Sequence, residues 1–152
     1  MSIEDRLSEL GIVLPAPAAP VAAYVPTVEA GGLLHISGQL PFRDGKVMTG
    51  RCGEDAAEDY ARAAAEACGV MLLAQIKAAL GSLDRVARVV KLGVFVSSAP
   101  GFTAQPQVAN GASELMVSVF GDAGRHARSA VGVAVLPLGA AVEIDAIVAI
   151  RG

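Results

Sequence analysis

Apolar residues alternate with period two over residues 86–97, VARVVKLGVFVS, which is typical of a β-strand. Both faces of this segment are largely apolar, so we expect it to lie at the centre of a sheet. Small apolar residues recur at helical spacing over residues 54–80, where acids cluster at the start and Gly81 follows the end, and this pattern predicts a helix. A second helical stripe begins just past Pro106 and ends at Gly121.

Strand-like segments flank these two helices. Residues 33–40 predict one strand, and Asp44-Gly45 has the composition of a tight hairpin turn, so we expect an antiparallel strand beside it. Residues 126–150 predict a closing hairpin with its turn at residues 136–139. The resulting order, β-β-α-β-α-β-β, favours an α+β fold in which two helices pack on one face of a mixed sheet.

The first twenty residues differ in character from the rest of the chain. Residues 3–10 predict a short amphipathic helix, with Ser2 as its N-cap and Gly11 beyond its end, and LPAPAAP then favours an extended connector. We expect this arm, residues 1–20, to be peripheral to one domain that spans residues 21–152.

The composition narrows the possible classes of protein. With 53% hydrophobic and 18% charged residues the chain is not disordered, and its apolar run at residues 130–142, which Pro137 breaks, is too short to span a bilayer. The N-terminus lacks the pattern of a secretory signal, so we expect a cytoplasmic protein without a membrane partner. Cys52 and Cys68 suggest neither a disulfide framework nor a metal site. A net charge of −3 and six aromatic residues (two Tyr, four Phe) disfavour nucleic acid as a partner.

The alternation of the closing hairpin predicts which of its residues meet the helices. We expect one apolar face, which comprises Val131, Val133 and Val135 together with Val142, Ile144, Ala146, Val148 and Ile150. The opposite face comprises Ala130, Gly132, Ala134, Glu143, Asp145, Ile147 and Ala149. Because that second face has no third helix to cover it, we expect another subunit to do so.

Three charged side chains stand out in this segment: Arg128 at its entrance, and Glu143 and Asp145 on its return strand. In a hairpin, at about 3.3 Å per residue, Arg128 and Glu143 lie roughly 20 Å apart. They can serve one site only if they come from neighbouring subunits. The alternative is that they are separate polar residues at strand edges or in interface salt bridges. We interpret Asp145 as structural.

Five segments occur in a recognisable order: SGQLP at 37–41, GVFVS at 93–97, ARSAVGV at 127–133, LP at 136–137 and VEIDAI at 142–147. Together they resemble the RidA family of enamine and imine deaminases, also called YjgF or L-PSP, over roughly residues 20–150. The resemblance implies a chorismate-mutase-like fold and a homotrimer with clefts between subunits. It also implies an enzyme that hydrolyses small 2-imino acids to 2-keto acids and ammonia, with no metal or organic cofactor.

The same resemblance implies roles for individual residues. Arg128 matches an arginine that binds the substrate carboxylate, for which a guanidinium offers two parallel charge-assisted hydrogen bonds. Glu143 matches a glutamate that positions or activates the attacking water, and the carbonyl of Ala130 matches a group that helps hold it. The other matched residues line the pocket and are Tyr24, Ser37, Gly38 and Asn110.

Alternative interpretations remain open for these pocket residues. Tyr24 is equally typical of a half-buried strand aromatic, Gly38 of a β-bulge, and Asn110 of a helix cap or a solvent contact. The residues before Tyr24 are two alanines rather than the family's usual proline, so we expect a different pocket rim and a less characterised branch.

Two other functions are compatible with the sequence. The first is a non-catalytic trimer that captures a carboxylate-bearing metabolite, such as a 2-keto acid, as a sensor or accessory subunit. The second is an endoribonuclease, a name that some family members carry. The chain disfavours it, because the net charge is negative and because His35 and His126 read as an isolated strand histidine and an isolated loop histidine.

Overall fold

A computed structural model describes residues 1–20 and 22–152, which form three α-helices and seven β-strands. The helices are α1 (Ile3–Glu9), α2 (Glu58–Leu80) and α3 (Gln105–Phe120). The strands are β1 (Thr27–Ala30), β2 (Leu33–Gln39), β3 (Phe42–Arg43), β4 (Lys46–Val47), β5 (Val86–Ser97), β6 (Ala127–Val133) and β7 (Val142–Ile150). Five strands form one mixed sheet in the order β1-β2-β7-β5-β6, in which β5 and β6 run parallel and the other pairs antiparallel.

Strand β5 has the bounds that its alternation predicts, and it lies inside the sheet between β7 and β6. Its residues Leu92, Val94 and Val96 are buried beneath the helices. The prediction of a central strand is confirmed, since apolar side chains on both faces suit a strand with neighbours on both edges.

Helices α2 and α3 pack on the same face of the sheet, as the two apolar stripes predict. Helix α2 begins four residues later than predicted, because residues 53–55 form a turn, and it ends at Gly81, whose left-handed backbone (φ 83°) closes the last turn. By length and composition α2 could cross a membrane. However, 61% of its most apolar window is buried inside the protein, as in a core helix.

Strands β6 and β7 do not form the predicted hairpin, because β5 lies between them. Segment 134–141 passes over the carboxyl end of β5 and contains a short helical turn, in which Leu138 and Gly139 have positive φ angles of 57° and 71°. Consecutive strands pair more often than not, and this general tendency was the basis of the wrong prediction.

The register of β6 also corrects the predicted faces. Arg128 lies opposite Leu92, whose side chain is buried beneath the helices, whereas Val131 lies opposite Phe95. Phe95 in turn lies opposite Glu143 on β7. Because paired residues share a face, Arg128 lies on the helix-covered face and Val131 and Glu143 lie on the open face. The β6 assignment was therefore wrong by one residue, while residues 142, 144, 146 and 148 of β7 are buried as predicted.

Strand β2 pairs with β1 and β7 rather than with the strand that the sequence predicts beside it at the Asp44-Gly45 turn. The Asp44-Gly45 turn is present, but it joins the short strands β3 and β4 in a separate ribbon. The sequence analysis missed β1. Its signal is Gly31-Gly32, both with positive φ (61° and 77°), because paired glycines between apolar segments favour a tight hairpin turn.

The N-terminal helix α1 is part of the body of the protein. Ser2 and Asp5 form a reciprocal capping box at its start, as the predicted N-cap requires. Leu7 is only 4% exposed and belongs to the hydrophobic core, so the expectation of a peripheral helix was wrong. The predicted domain boundary falls at Val21, which lies outside the described residues.

Candidate active site

The residues matched to the family's site form two groups in this chain. One group borders the open face of the sheet and consists of Tyr24, Ser37, Gly38 and Glu143. The other lies on the helix-covered face, at strand β6 and helix α3, and consists of Asn110, Arg128 and Ala130. The sheet itself separates the two groups within one chain.

A β-bulge at Ser37-Gly38 brings β2 against the carboxylate of Glu143. The pairing of β2 with β7 shifts register between Ile36 and Gln39, so the bulge considered for Gly38 is present. A Cβ at Gly38 would overlap Glu143 Oε2, although the backbone of Gly38 is not in the left-handed region. Glycine is therefore needed here to leave room for the carboxylate.

Two buried glutamines hold this bulge from behind, and the sequence analysis missed them. Gln39 Nε2 donates to the Ser37 carbonyl at 3.0 Å. Gln75 Nε2, from α2, lies 3.4 Å from Gln39 Oε1 and donates to the Ala18 carbonyl at 2.8 Å. The network links the N-terminal connector, the long helix and the bulge. The sequence gives only a weak signal for these glutamines. A polar residue within an apolar pattern can be buried when it has a hydrogen-bond partner, and here the partners lie far away in the chain.

The open-face cleft has a volume of about 520 Å³. Ser37 Oγ donates to the Val25 carbonyl at 2.8 Å and so holds the segment that carries Tyr24 over the cleft. Tyr24 is 47% exposed, so its ring and hydroxyl are accessible to a ligand. The other lining residues are Val28, His35, Ile36, Asp145, Ala146 and Ile147.

Glu143 and Asp145 are two residues apart on β7 and share the open face. Burial raises the pKa of Glu143, and the nearby charge of Asp145 raises it further. Burial also raises the pKa of Asp145, against the opposing effects of a Gly93 backbone hydrogen bond and the Lys91 charge. A carboxylate with a raised pKa is a better proton acceptor, which suits Glu143 to general-base chemistry.

Arg128 lies against helix α3 on the other face. Its Nη1 donates to Asn110 Oδ1 at 2.9 Å and to Ser113 Oγ at 3.1 Å. Among residues 1–20 and 22–152 it forms no ion pair, so its charge is available to an anion. Sequence reasoning missed Ser113, although its position one helical turn beyond Asn110 places both on one helix face.

Ala130 follows two residues later on β6, opposite Val94, and is half-buried. Within the described part of the chain β6 pairs with β5 alone and is an edge strand, so its outer backbone groups are open to a ligand or a subunit. No group of three His, Cys, Asp or Glu side chains in that same part of the chain is arranged to hold a metal ion.

Comparison with known proteins finds relatives that match over nearly the whole chain. Protein TCP17 of Trypanosoma cruzi is 58% identical over 148 residues, which cover 96% of this chain and 92% of that protein. The crystal structure of Atu1372 from Agrobacterium tumefaciens, a protein of unknown function, is 53% identical with a TM-score of 0.91, covering 98% of this chain and 92% of that one. A 2-iminobutanoate/2-iminopropanoate deaminase of Dermatophagoides farinae is 29% identical over 144 residues, covering 92% of this chain and 95% of that enzyme.

A family model described as "YjgF/chorismate mutase-like, putative endoribonuclease" matches residues 4–148. The match includes α1, which the expected domain of residues 21–152 did not. Since it covers nearly the whole chain and agrees with the mixed sheet and its two helices, this chain belongs to the YjgF/RidA family and has its chorismate mutase-like α+β fold.

Proposed function

We propose that this protein hydrolyses small 2-imino acids to 2-keto acids and ammonia, in clefts between the subunits of a homotrimer. The observation that carries the proposal is the division of the candidate site, with Arg128 on one face of the sheet and Glu143 on the other. Two groups that a single chain keeps apart can meet when the arginine face of one subunit reaches the carboxylate face of its neighbour. The deaminase relative, at 29% identity, supports the reaction class.

In this proposal each group has one chemical task. Arg128 binds the carboxylate of the imino acid through the fork of its guanidinium. Glu143 accepts one proton from a water whose oxygen attacks the imine carbon, and this proton passes to the nitrogen to give a tetrahedral carbinolamine. The carboxylate then takes the remaining hydroxyl proton and passes it to the nitrogen as the C–N bond breaks. One water is consumed, the carbon becomes a ketone, and nitrogen leaves as ammonia.

The first test is a rate measurement with 2-iminopropionate that an amino-acid oxidase generates from alanine. We expect 2-keto acid to form faster than by spontaneous hydrolysis, and Arg128→Ala to lower kcat/KM by at least tenfold, because a charge-assisted contact is lost. Arg43→Ala, at an exposed arginine of the β3–β4 ribbon, is the matched control. If no turnover is detected with several imino acids, the deaminase proposal is contradicted, and a non-catalytic protein that binds a carboxylate-bearing metabolite becomes the favoured function.

The second test addresses the shared site directly. Arg128→Ala and Glu143→Gln chains, each of which we expect to have little activity alone, are unfolded, mixed in equal amounts and refolded together. If each site takes Arg128 from one subunit and Glu143 from another, about a quarter of the sites combine two intact residues, and activity returns to about a quarter of the wild-type value. If both residues act within one chain, the mixture stays inactive.

An endoribonuclease is the less favoured function. The net charge of −3 is unfavourable for binding a phosphate backbone. Incubation of RNA with highly purified protein, with Arg128→Ala as a control, checks this directly.

A further inference from the structure

His126, which the sequence left without a partner, is hydrogen-bonded at both ring nitrogens. Its Nδ1 lies 2.6 Å from the Gly124 carbonyl oxygen, and its Nε2 lies 2.8 Å from Ser113 Oγ. Ser113 Oγ also accepts the hydrogen bond from Arg128 Nη1 at 3.1 Å. An unbroken series of contacts therefore joins a backbone carbonyl to the guanidinium of the candidate site.

The chemistry of these groups fixes the direction of every hydrogen bond. A carbonyl oxygen can only accept, so His126 carries its proton on Nδ1. Burial lowers the pKa of His126 below its ordinary value of 6.5, and this effect outweighs the Gly124 hydrogen bond, which acts in the opposite direction, while the charge of Arg128 adds to the lowering. At neutral pH Nε2 is therefore an unprotonated acceptor. The Ser113 hydroxyl must then donate its proton to His126 Nε2. The lone pairs of Ser113 Oγ remain free to accept from Arg128.

The guanidinium is held at one end. Asn110 and Ser113 lie three residues apart on one face of α3, and both accept from Nη1. Across residues 1–20 and 22–152, the side-chain hydrogen bonds of Arg128 all use Nη1, so Nε and Nη2 are left for a carboxylate. Without the Ser113 hydroxyl, Asn110 Oδ1 would be the one remaining side-chain acceptor for Nη1 among the described residues. The guanidinium could then rotate more freely, so that Nε and Nη2 would point away from the ligand carboxylate.

We propose that Ser113 and His126 are positioning residues for Arg128. The histidine orients the serine hydroxyl, and the serine orients the guanidinium so that its open edge faces the carboxylate of the ligand. Both residues act through Arg128. The inference rests on the proposed function for the identity of that ligand, a 2-imino or 2-keto acid.

Three variants test the series one link at a time. Ser113→Ala removes the link to Arg128. His126→Asn keeps an amide N–H near the position of Nδ1, for Gly124, but cannot reach Ser113. His126→Gln places an amide oxygen near the position of Nε2 and can still accept from the Ser113 hydroxyl. Ser118→Ala, which changes an exposed serine on the same helix, is the matched control.

We expect Ser113→Ala and His126→Asn to raise KM for 2-iminopropionate about tenfold and to change kcat by less than about twofold. A carboxylate contact is made equally in the ground state and the transition state, so its loss appears in KM. His126→Gln should return KM to within about threefold of the wild-type value. A merely structural role would lower the thermal midpoint without this split or this rescue.

Calorimetry with pyruvate separates this inference from the proposed function. If the wild type has no turnover but binds pyruvate, and both Arg128→Ala and Ser113→Ala weaken that binding, the positioning role stands and the deaminase proposal falls. If only Arg128→Ala weakens binding and raises KM, the positioning role is wrong and the proposed function survives. If the wild type neither binds pyruvate nor turns over imino acids, both are overturned.

Discussion

At Gly38, the space that a side chain would fill is occupied by the carboxylate of Glu143, and the backbone itself would accept alanine. Gly38→Ala should therefore turn the carboxylate away and lower kcat/KM for imino acids by at least tenfold. Stability should change by less than about 1 kcal/mol, because the overlapping atom is the end of a flexible side chain.

The matched control for this substitution is Gly101→Ala, where a Cβ would meet nothing within 4 Å. Steady-state kinetics of both variants measure the change in kcat/KM, and thermal unfolding measures the change in stability. Full activity in Gly38→Ala would mean that the position of the Glu143 carboxylate is unimportant.

The ionisation of Glu143 has a consequence for stability. Because its pKa is raised in the folded protein, its contribution to folding is fully present below its ordinary pKa of 4.5 and is lost as pH rises through the folded value. Glu143→Gln removes this dependence. The variant should equal the wild type near pH 4 and be more stable at pH 8, by less than about 1 kcal/mol because the group is half exposed.

Urea unfolding at both pH values, at one fixed protomer concentration, measures this difference. A stability difference between Glu143→Gln and wild type that is the same at pH 4 and pH 8 would contradict the raised pKa.

Among the elements, those whose formation is local could be predicted from the sequence. The bounds of β5, the helical stripes of α2 and α3 and the Ser2 N-cap of α1 all follow from residues close together in the chain. The partners of β6 and β7 could not be predicted, because the insertion of β5 between them depends on long-range packing. That error had little effect on the site argument, since Arg128 and Glu143 are separated by the sheet rather than by the length of a hairpin.

The candidate site shows the same limit. Arg128 and Glu143 stand out in the sequence as charged residues of an apolar segment, whereas their roles come from the family resemblance and their placement on opposite faces comes from the strand register. The helical spacing places Ser113 on the same face as Asn110, but the sequence does not reveal the link from Ser113 to His126, because this link depends on how α3 packs beside β6. Hydrogen bonds between distant segments leave no periodicity in a sequence.

The contact between helices α2 and α3 depends on Gly111, where a Cβ would overlap the backbone carbonyl oxygen of Arg62. A backbone atom cannot rotate away, so Gly111→Ala must push the helices apart. We expect a loss of about 1–3 kcal/mol in unfolding free energy, in spite of the higher helix propensity of alanine. Ser118→Ala, on the exposed side of α3, should be neutral or slightly stabilising in the same urea titration.

In the whole molecule, the helices cover one face of the sheet and leave the other open. Val28 on β1 and Val131 on β6 lie on the open face and are 51% and 46% exposed, and one strand separates each of them from the carboxylates of β7. The proposed assembly would cover this face and would bring the Arg128 of one subunit to the Glu143 of the next. Oligomerisation and catalysis would then depend on the same surface.

Val131→Asp tests that dependence, because it places a charge on the open face while leaving the helix-covered core unchanged. Burying an unpaired carboxylate in an interface is costly, so the variant should sediment as a monomer at micromolar concentration and lose imino acid turnover, yet keep its helical circular dichroism. Val13→Asp, at an 88% exposed valine just before the N-terminal connector, should sediment and react like the wild type. A Val131→Asp protein that remains assembled and fully active would show that subunits do not meet at the open face. That result would also contradict a site shared by Arg128 of one subunit and Glu143 of the next.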